Sequence, residues 1–327
     1  MKKFLKSIII AVAMAATLIS VSSCSKKAES GKKSIVCTTY PEYDWIMNIL
    51  GDKASNFDIT LLQNKGTDLH SYQPSVKDIA KISEADLFVY VGGESDEWVD
   101  KVVSQSVNKN QIVINMMEVL GDKVREEEIV EGMQAEEEEE GDDEDEEEIE
   151  YDEHVWLSLN NAIDITNELC KELSKIDSAN ADFYAKNASA YTKQIADLDA
   201  EYKAVVKSAK KNTVLFGDRF PFRYLTDDYD LKYYAAFVGC SAETEASFET
   251  IIFLANKVDE LGLNAVLTIE KSDKKIARTI VETSKNKNQQ ILEMDSLQSI
   301  TEDDIKAGRN YLSAMKKNLE VLKKALN

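Results

Sequence analysis

The sequence has only two histidines and three prolines in 327 residues, and its four cysteines include no pair at CxxC spacing. A cysteine-built zinc site is therefore unsupported. No HExxH and no Gly-x-Ser-x-Gly occurs, and neither histidine has a second one at helical spacing. A metallohydrolase of the two-histidine helix type and a serine hydrolase with a nucleophile elbow are both excluded, and no enzyme activity is expected. Basic residues are missing from Glu126 to Glu153, where 19 acidic residues stand without one Lys or Arg. The formal net charge of -21 is concentrated there, and the rest of the chain is nearly balanced. With no basic face, nucleic acid is not an expected partner.

What is present begins with Lys2, Lys3 and Lys6 ahead of the apolar run Ile8 to Ile19. That run is too short to span a bilayer and has the length of a signal-peptide core. It ends in Val21-Ser22-Ser23-Cys24, which resembles a bacterial lipoprotein signal. The resemblance implies a signal peptide over 1–23, lipidation of Cys24, and a protein held to the bacterial membrane outside the cytoplasm. Residues 24–33 then read as a polar tether. With Cys24 assigned to lipid, Cys37, Cys170 and Cys240 remain, an odd number that implies no disulfide framework.

A chain of this length is expected to form two domains of roughly 150 residues. Short β-branched runs alternate with helical spacing: Ser34 to Tyr40, Asp58 to Leu62, Asp86 to Val91 and Gln111 to Asn115 read as strands in the first half. Thr213 to Phe216, Tyr233 to Val238, Ala265 to Ile269 and Gln290 to Met294 repeat the pattern in the second. Alternation of this kind predicts parallel sheets covered by helices. Between the halves, Ala179 to Lys210 carries Phe183, Tyr184, Tyr191, Ile195, Leu198, Tyr202 and Val206 at helical intervals, enough for a rod about 48 Å long. Glu302 to Ala325 reads as one closing helix. The expected fold is α/β, two lobes each with a four-stranded parallel sheet, joined by one long rigid α-helix. The first lobe spans 34–178, the linking helix 179–210 and the second lobe 211–327. Like charges at high density predict disorder over 126–150. That acidic run reads either as a collector of cations or as a solvated spacer. Screening confines each charge to a reach of about 8 Å.

Both histidines stand in short loops flanked by aromatics, Asp68-Leu69-His70-Ser71-Tyr72 and Glu153-His154-Val155-Trp156. Neutral imidazole is the commonest protein ligand for zinc-like metals, so the two read as paired ligands. Ligands of open parallel sheets sit beyond the carboxyl ends of the strands. Asp218, Glu270 and Asp295 are placed there in the second lobe, Gly239-Cys240 closes a further strand, and Trp156 and Tyr72 are expected to pack around the loops.

The motifs Asp68-x-His70-x-Tyr72-x-Pro74, Ala85-Asp86-Leu87-Phe88-Val89-Tyr90 with Gly92, and Glu153-His154-Val155-Trp156-Leu157 with Asn160-Asn161-Ala162 resemble the zinc and manganese solute-binding lipoproteins of bacterial ABC importers. The resemblance implies one Zn2+, with Mn2+ or Fe2+ as alternatives, carried by a monomer and delivered to a membrane permease with its ATPase subunit. An adhesin lipoprotein is the alternative role. It also implies His70, His154 and Asp295 as ligands. The family's third ligand, His or Glu in a His-Asp-Ala-Phe-like sequence, meets Gly217-Asp218-Arg219-Phe220 here. Asp218, one residue away, is the candidate replacement and Glu270 the alternative, with a water or an open position also possible.

Overall fold

In the computed structural model, β1 (Lys33–Cys37), β2 (Phe57–Leu61), β3 (Leu87–Tyr90) and β4 (Ile112–Asn115) form one sheet in the order β2-β1-β3-β4. A second sheet, in the order β6-β5-β7-β8, contains β5 (Thr213–Phe220), β6 (Lys232–Val238), β7 (Ala265–Ile269) and β8 (Gln290–Met294). Every pairing in both sheets is parallel. β3 and β7 are buried at every position, because helices cover both faces of a parallel sheet. The expected architecture of two four-stranded parallel sheets is therefore the one found. The structure describes residues 31–134, 150–241 and 245–327; the leader with Cys24 and the densest part of the acidic run lie outside them. No helix among the described residues is long and apolar enough to cross a membrane.

The long helix runs from Ala181 to Ser208 and buries Tyr184, Tyr191, Ile195, Leu198 and Tyr202. Its tyrosines tie it to both sides. Tyr191 donates to Asp44 Oδ2 at 2.9 Å, on the helix Tyr40–Leu50, and Tyr202 donates to the Met315 carbonyl at 2.6 Å, on the helix Tyr311–Ala325. A buried phenol must keep a hydrogen-bond partner, so these contacts fix the rotation of the helix as well as its position. The helix Val76–Glu84 starts as its sequence indicates, with Ser75 and Asp78 exchanging capping hydrogen bonds.

Three sequence expectations change. β5 does not end at Phe216 but continues to Phe220 through a register shift between Phe216 and Arg219. Asp218 is thus on a bulged strand and not in a free loop. The closing helix is two helices, Glu302–Lys306 and Tyr311–Ala325. Gly308, at φ +86°, stops the first, and the Asn310 side chain caps the second. The third change concerns the acidic run, expected to be disordered from Glu126. Residues 126–134 are placed, with β-bridges from Glu126 to Tyr151 and from Gln134 to Phe237. Met133 is buried, and Glu128 pairs with Arg223. A few apolar side chains and one arginine partner are enough to anchor this end of the segment, which the count of acids hides.

Candidate metal centre

In each sheet the strand order reverses beside the first strand, between β1 and β3 and between β5 and β7. The crevice at such a switch point, beyond the carboxyl ends of the strands, is where ligands bind in open α/β sheets. His70 is delivered there by a single turn after β2, Leu69–Ser71, whose start is capped by Asp68 Oδ1 accepting from the His70 N–H at 3.2 Å. His154 precedes the turn Val155–Leu157 and is fully buried.

The two imidazoles meet edge to edge, with His70 Nε2 and His154 Nε2 3.2 Å apart. The opposite nitrogen of each ring is held by an oxygen partner. His154 Nδ1 lies 3.0 Å from Asp152 Oδ1, which also accepts the His154 N–H at 2.8 Å. His70 Nδ1 is 2.9 Å from Ser95 Oγ and 3.4 Å from Glu153 Oε2. Oxygen partners at each Nδ1 fix both rings and direct the two Nε2 atoms at one point, the arrangement that metal-binding histidines require. Tetrahedral zinc with Zn–N bonds near 2.05 Å would separate two ligand nitrogens by about 3.3 Å. The 3.2 Å spacing is close to that value.

Glycine makes the approach of these groups possible. Gly93 has φ +81°, and a Cβ there would lie 2.4 Å from Glu153 Oε1. That oxygen accepts the Ser95 N–H at 2.7 Å, so the loop after β3 orients both Glu153 and His70. On the second sheet, a Cβ on Gly239 would come within 2.9 Å of His154 Cε1. Only a bare backbone lets the end of β6 pass this close to the imidazole.

The next residue is Cys240. Its Sγ and the two imidazoles form a group whose ligand atoms all lie within 4.8 Å of one another. Among the described residues, no other trio of His, Cys, Asp and Glu side chains gathers in this way. The three residues suggested by sequence from the second half do not gather with this group. Asp218 accepts from the N–H groups of Arg219 and Ile269, at 3.0 and 3.4 Å. Glu270 is bound to Ser296, accepting from its N–H at 2.7 Å and its hydroxyl at 2.8 Å. Both line a neighbouring cavity of about 570 Å³ with Asp68 and Arg219, and none of the three clustered donors lines it. Asp295 pairs with Arg309 and accepts the Leu297 N–H at 3.0 Å. Its carboxylate closes a turn and an ion pair and is not among the donor atoms that gather with the histidines.

Charge around the pair favours a cation. Burial alone would lower the pKa of His154, but Asp152, Glu153 and Asp68 outweigh it and hold the imidazole above its ordinary value. Burial likewise works against charge on Glu153 and Asp68. His70 nevertheless holds Glu153, and Arg219 holds Asp68, below the usual carboxylate range. Arg219 reaches Asp68 Oδ2 at 2.7 Å and so links the end of β5 to the loop carrying His70. With its amide turned to satisfy both neighbours, Gln298 joins the same network, donating to Asp68 Oδ1 at 3.0 Å and accepting at 2.6 Å from His154 Nε2 a proton that a bound metal would displace. Glu127, from the anchored start of the acidic run, accepts the Cys240 N–H at 3.4 Å. Sequence reasoning proposed neither Cys240, Gln298 nor Glu127 for the site.

Residues 35–325 match the family model for the zinc-uptake complex component A, periplasmic, ZnuA. The chain belongs to the ZnuA family. It is 32% identical over 319 residues to the zinc-binding lipoprotein AdcA of Streptococcus pneumoniae R6, an alignment covering 98% of this chain and 61% of AdcA. It thus spans about three-fifths of the length of that relative. The high-affinity zinc uptake system protein ZnuA of Bacillus subtilis is 29% identical over 320 residues, 96% of each chain. Among solved structures, the Zn(II)-bound ZnuA-like domain of Streptococcus pneumoniae AdcA superposes with a TM-score of 0.70 at 30% identity. That match covers 90% of this chain and 99% of the domain.

Proposed function

We propose that this ZnuA-family chain captures one zinc ion between His70 and His154 outside the cytoplasm and delivers it to an ABC-type permease with its ATPase. The observation that carries the reading is the 3.2 Å spacing of two Nε2 atoms whose rings are each fixed through Nδ1 by an oxygen partner. With each Nδ1 occupied by an oxygen partner, the two Nε2 atoms converge on one point where a cation can bridge them. Membership of a family named for zinc uptake, and relatives named as zinc-binding, support the choice of metal. Imidazole donors suit zinc better than manganese, which favours carboxylate and water ligands. The role is that of a carrier and not an enzyme. The two sheets serve as lobes over 34–178 and 211–327, with the long helix between them.

The test is metal titration of the purified protein after chelation. One zinc per chain is expected, with manganese unable to displace it at equal concentration, and with His70→Ala losing the site. Binding of zinc at the same affinity by His70→Ala would end this reading.

Anchoring follows from the leader. The lysines at 2, 3 and 6, the apolar run and Cys24 support lipidation of that cysteine. Cys24→Ser is expected to shift the mature protein from the membrane fraction to the soluble extracytoplasmic fraction; unchanged membrane retention would count against the anchor.

A further inference from the structure

We propose that Cys240 is a ligand of this centre, a thiolate that supplies the captured metal with a donor from the second sheet. The inference deepens the zinc-binding reading and rests on it. Three observations converge on it. The Cys240 Sγ is the only side-chain donor of its kind from the second half that gathers with the two imidazoles among the described residues. Gly239, directly before it, is bare where a Cβ would strike His154, so the chain is shaped to bring this residue to that ring. The neighbouring strand position cannot serve instead. A Cβ at Gly217 would lie 2.6 Å from Ala277 Cα, on the backbone of the helix Lys275–Thr283. With β5 closed off by helix packing, the adjacent strand β6 provides the third donor.

Neither of the other described cysteines competes. Cys37 and Cys170 are buried and belong to the hydrophobic core, whereas Cys240 is partly open at the end of its strand. Binding replaces the S–H bond by an S–metal bond, and the proton leaves to solvent. Two imidazoles and one thiolate form a site selective for thiophilic borderline ions, zinc above all, and poor for manganese. The fourth position is left to water or another oxygen ligand.

Cobalt(II) titration of the full chain tests the assignment, because a cobalt–thiolate bond produces an intense near-ultraviolet charge-transfer band that imidazole and oxygen ligands do not. The wild type is expected to show the band at one cobalt per chain. Cys240→Ser and Cys240→Ala should still bind cobalt through the histidines but without the band, and Cys170→Ser should retain it. Zinc affinity of Cys240→Ser should fall by about ten- to a hundredfold or more, while manganese affinity changes little. Cobalt bound by the wild type without the band, or a band that survives in Cys240→Ser, overturns the proposal and leaves the histidine pair standing. A wild type that takes up no cobalt and no zinc overturns the histidine reading, and this inference with it.

Discussion

His154→Ala is expected to weaken zinc binding by more than about a hundredfold, since loss of a partner behind a metal ligand alone costs ten- to a hundredfold and this change removes the ligand itself. His154 is fully buried, and both of its ring nitrogens are engaged, Nε2 toward the metal point and Nδ1 with Asp152. Alanine leaves no nearby side chain of the same type, because the sequence has only one other histidine and it already occupies the opposite position. The consequence for stability follows from linkage. Zinc at a thousand times its dissociation constant stabilises the wild type by about 4 kcal/mol, and each tenfold loss of affinity removes about 1.4 kcal/mol of that. Calorimetric melting with and without zinc should therefore show a large metal-dependent rise in Tm for wild type and little for the variant. The apo forms must be compared as well, because Asp152 is only 3% exposed and its Oδ1 loses the imidazole partner, keeping only the backbone N–H of residue 154. A lower apo Tm with an undiminished zinc-induced rise would show that His154 is structural and would remove it from the site.

Much of this centre could be read from sequence for one reason: histidine is scarce here. Two imidazoles in a long chain, each in an aromatic-flanked loop, leave few alternatives, and the loops do bring them together. The eight strands were legible because each is a short run rich in apolar residues, and the central ones, β3 and β7, are apolar throughout or nearly so, as burial on both faces requires. The second-sheet donor proposed above, Cys240, was harder to see. The strand-end rule was applied to Asp218, Glu270 and Asp295, and the family resemblance favoured a carboxylate at Asp295. Asp218, Glu270 and Asp295 are each consumed by local hydrogen bonds or an ion pair, which depend on backbone geometry that residue type does not reveal. Cys240 stands at another strand end, after a glycine, and that Gly-Cys pair was the available signal. Glu127 could not be singled out, since it is one acid among 19 between Glu126 and Glu153 and only its contact with Cys240 distinguishes it.

The largest loss of stability is expected from Trp156→Ala. The indole is fully buried, its Nε1–H donates to the Ser296 carbonyl at 2.8 Å, and its own carbonyl accepts from Tyr311 at 2.7 Å. Tyr311 in turn packs edge-on against Trp45 with ring centroids 5.3 Å apart. Trp156 therefore joins the His154 loop to the segment after β8 and to the last helix. Truncation of a buried tryptophan to alanine costs about 3–5 kcal/mol, a large part of the 5–15 kcal/mol that holds a typical protein folded. The lost indole also leaves the Ser296 carbonyl without its donor, which adds about 1–3 kcal/mol if no water replaces it. Trp156→Phe separates the contributions, because phenylalanine fills much of the volume and restores no hydrogen bond. Urea unfolding of the apo protein should rank wild type above Trp156→Phe and Trp156→Ala lowest, and a Trp156→Ala cost below about 1 kcal/mol would contradict this account. The indole also stacks edge-on against His154 at 5.4 Å. Zinc affinity should thus fall in the same order, since a ring whose neighbour is removed no longer presents Nε2 in one fixed direction.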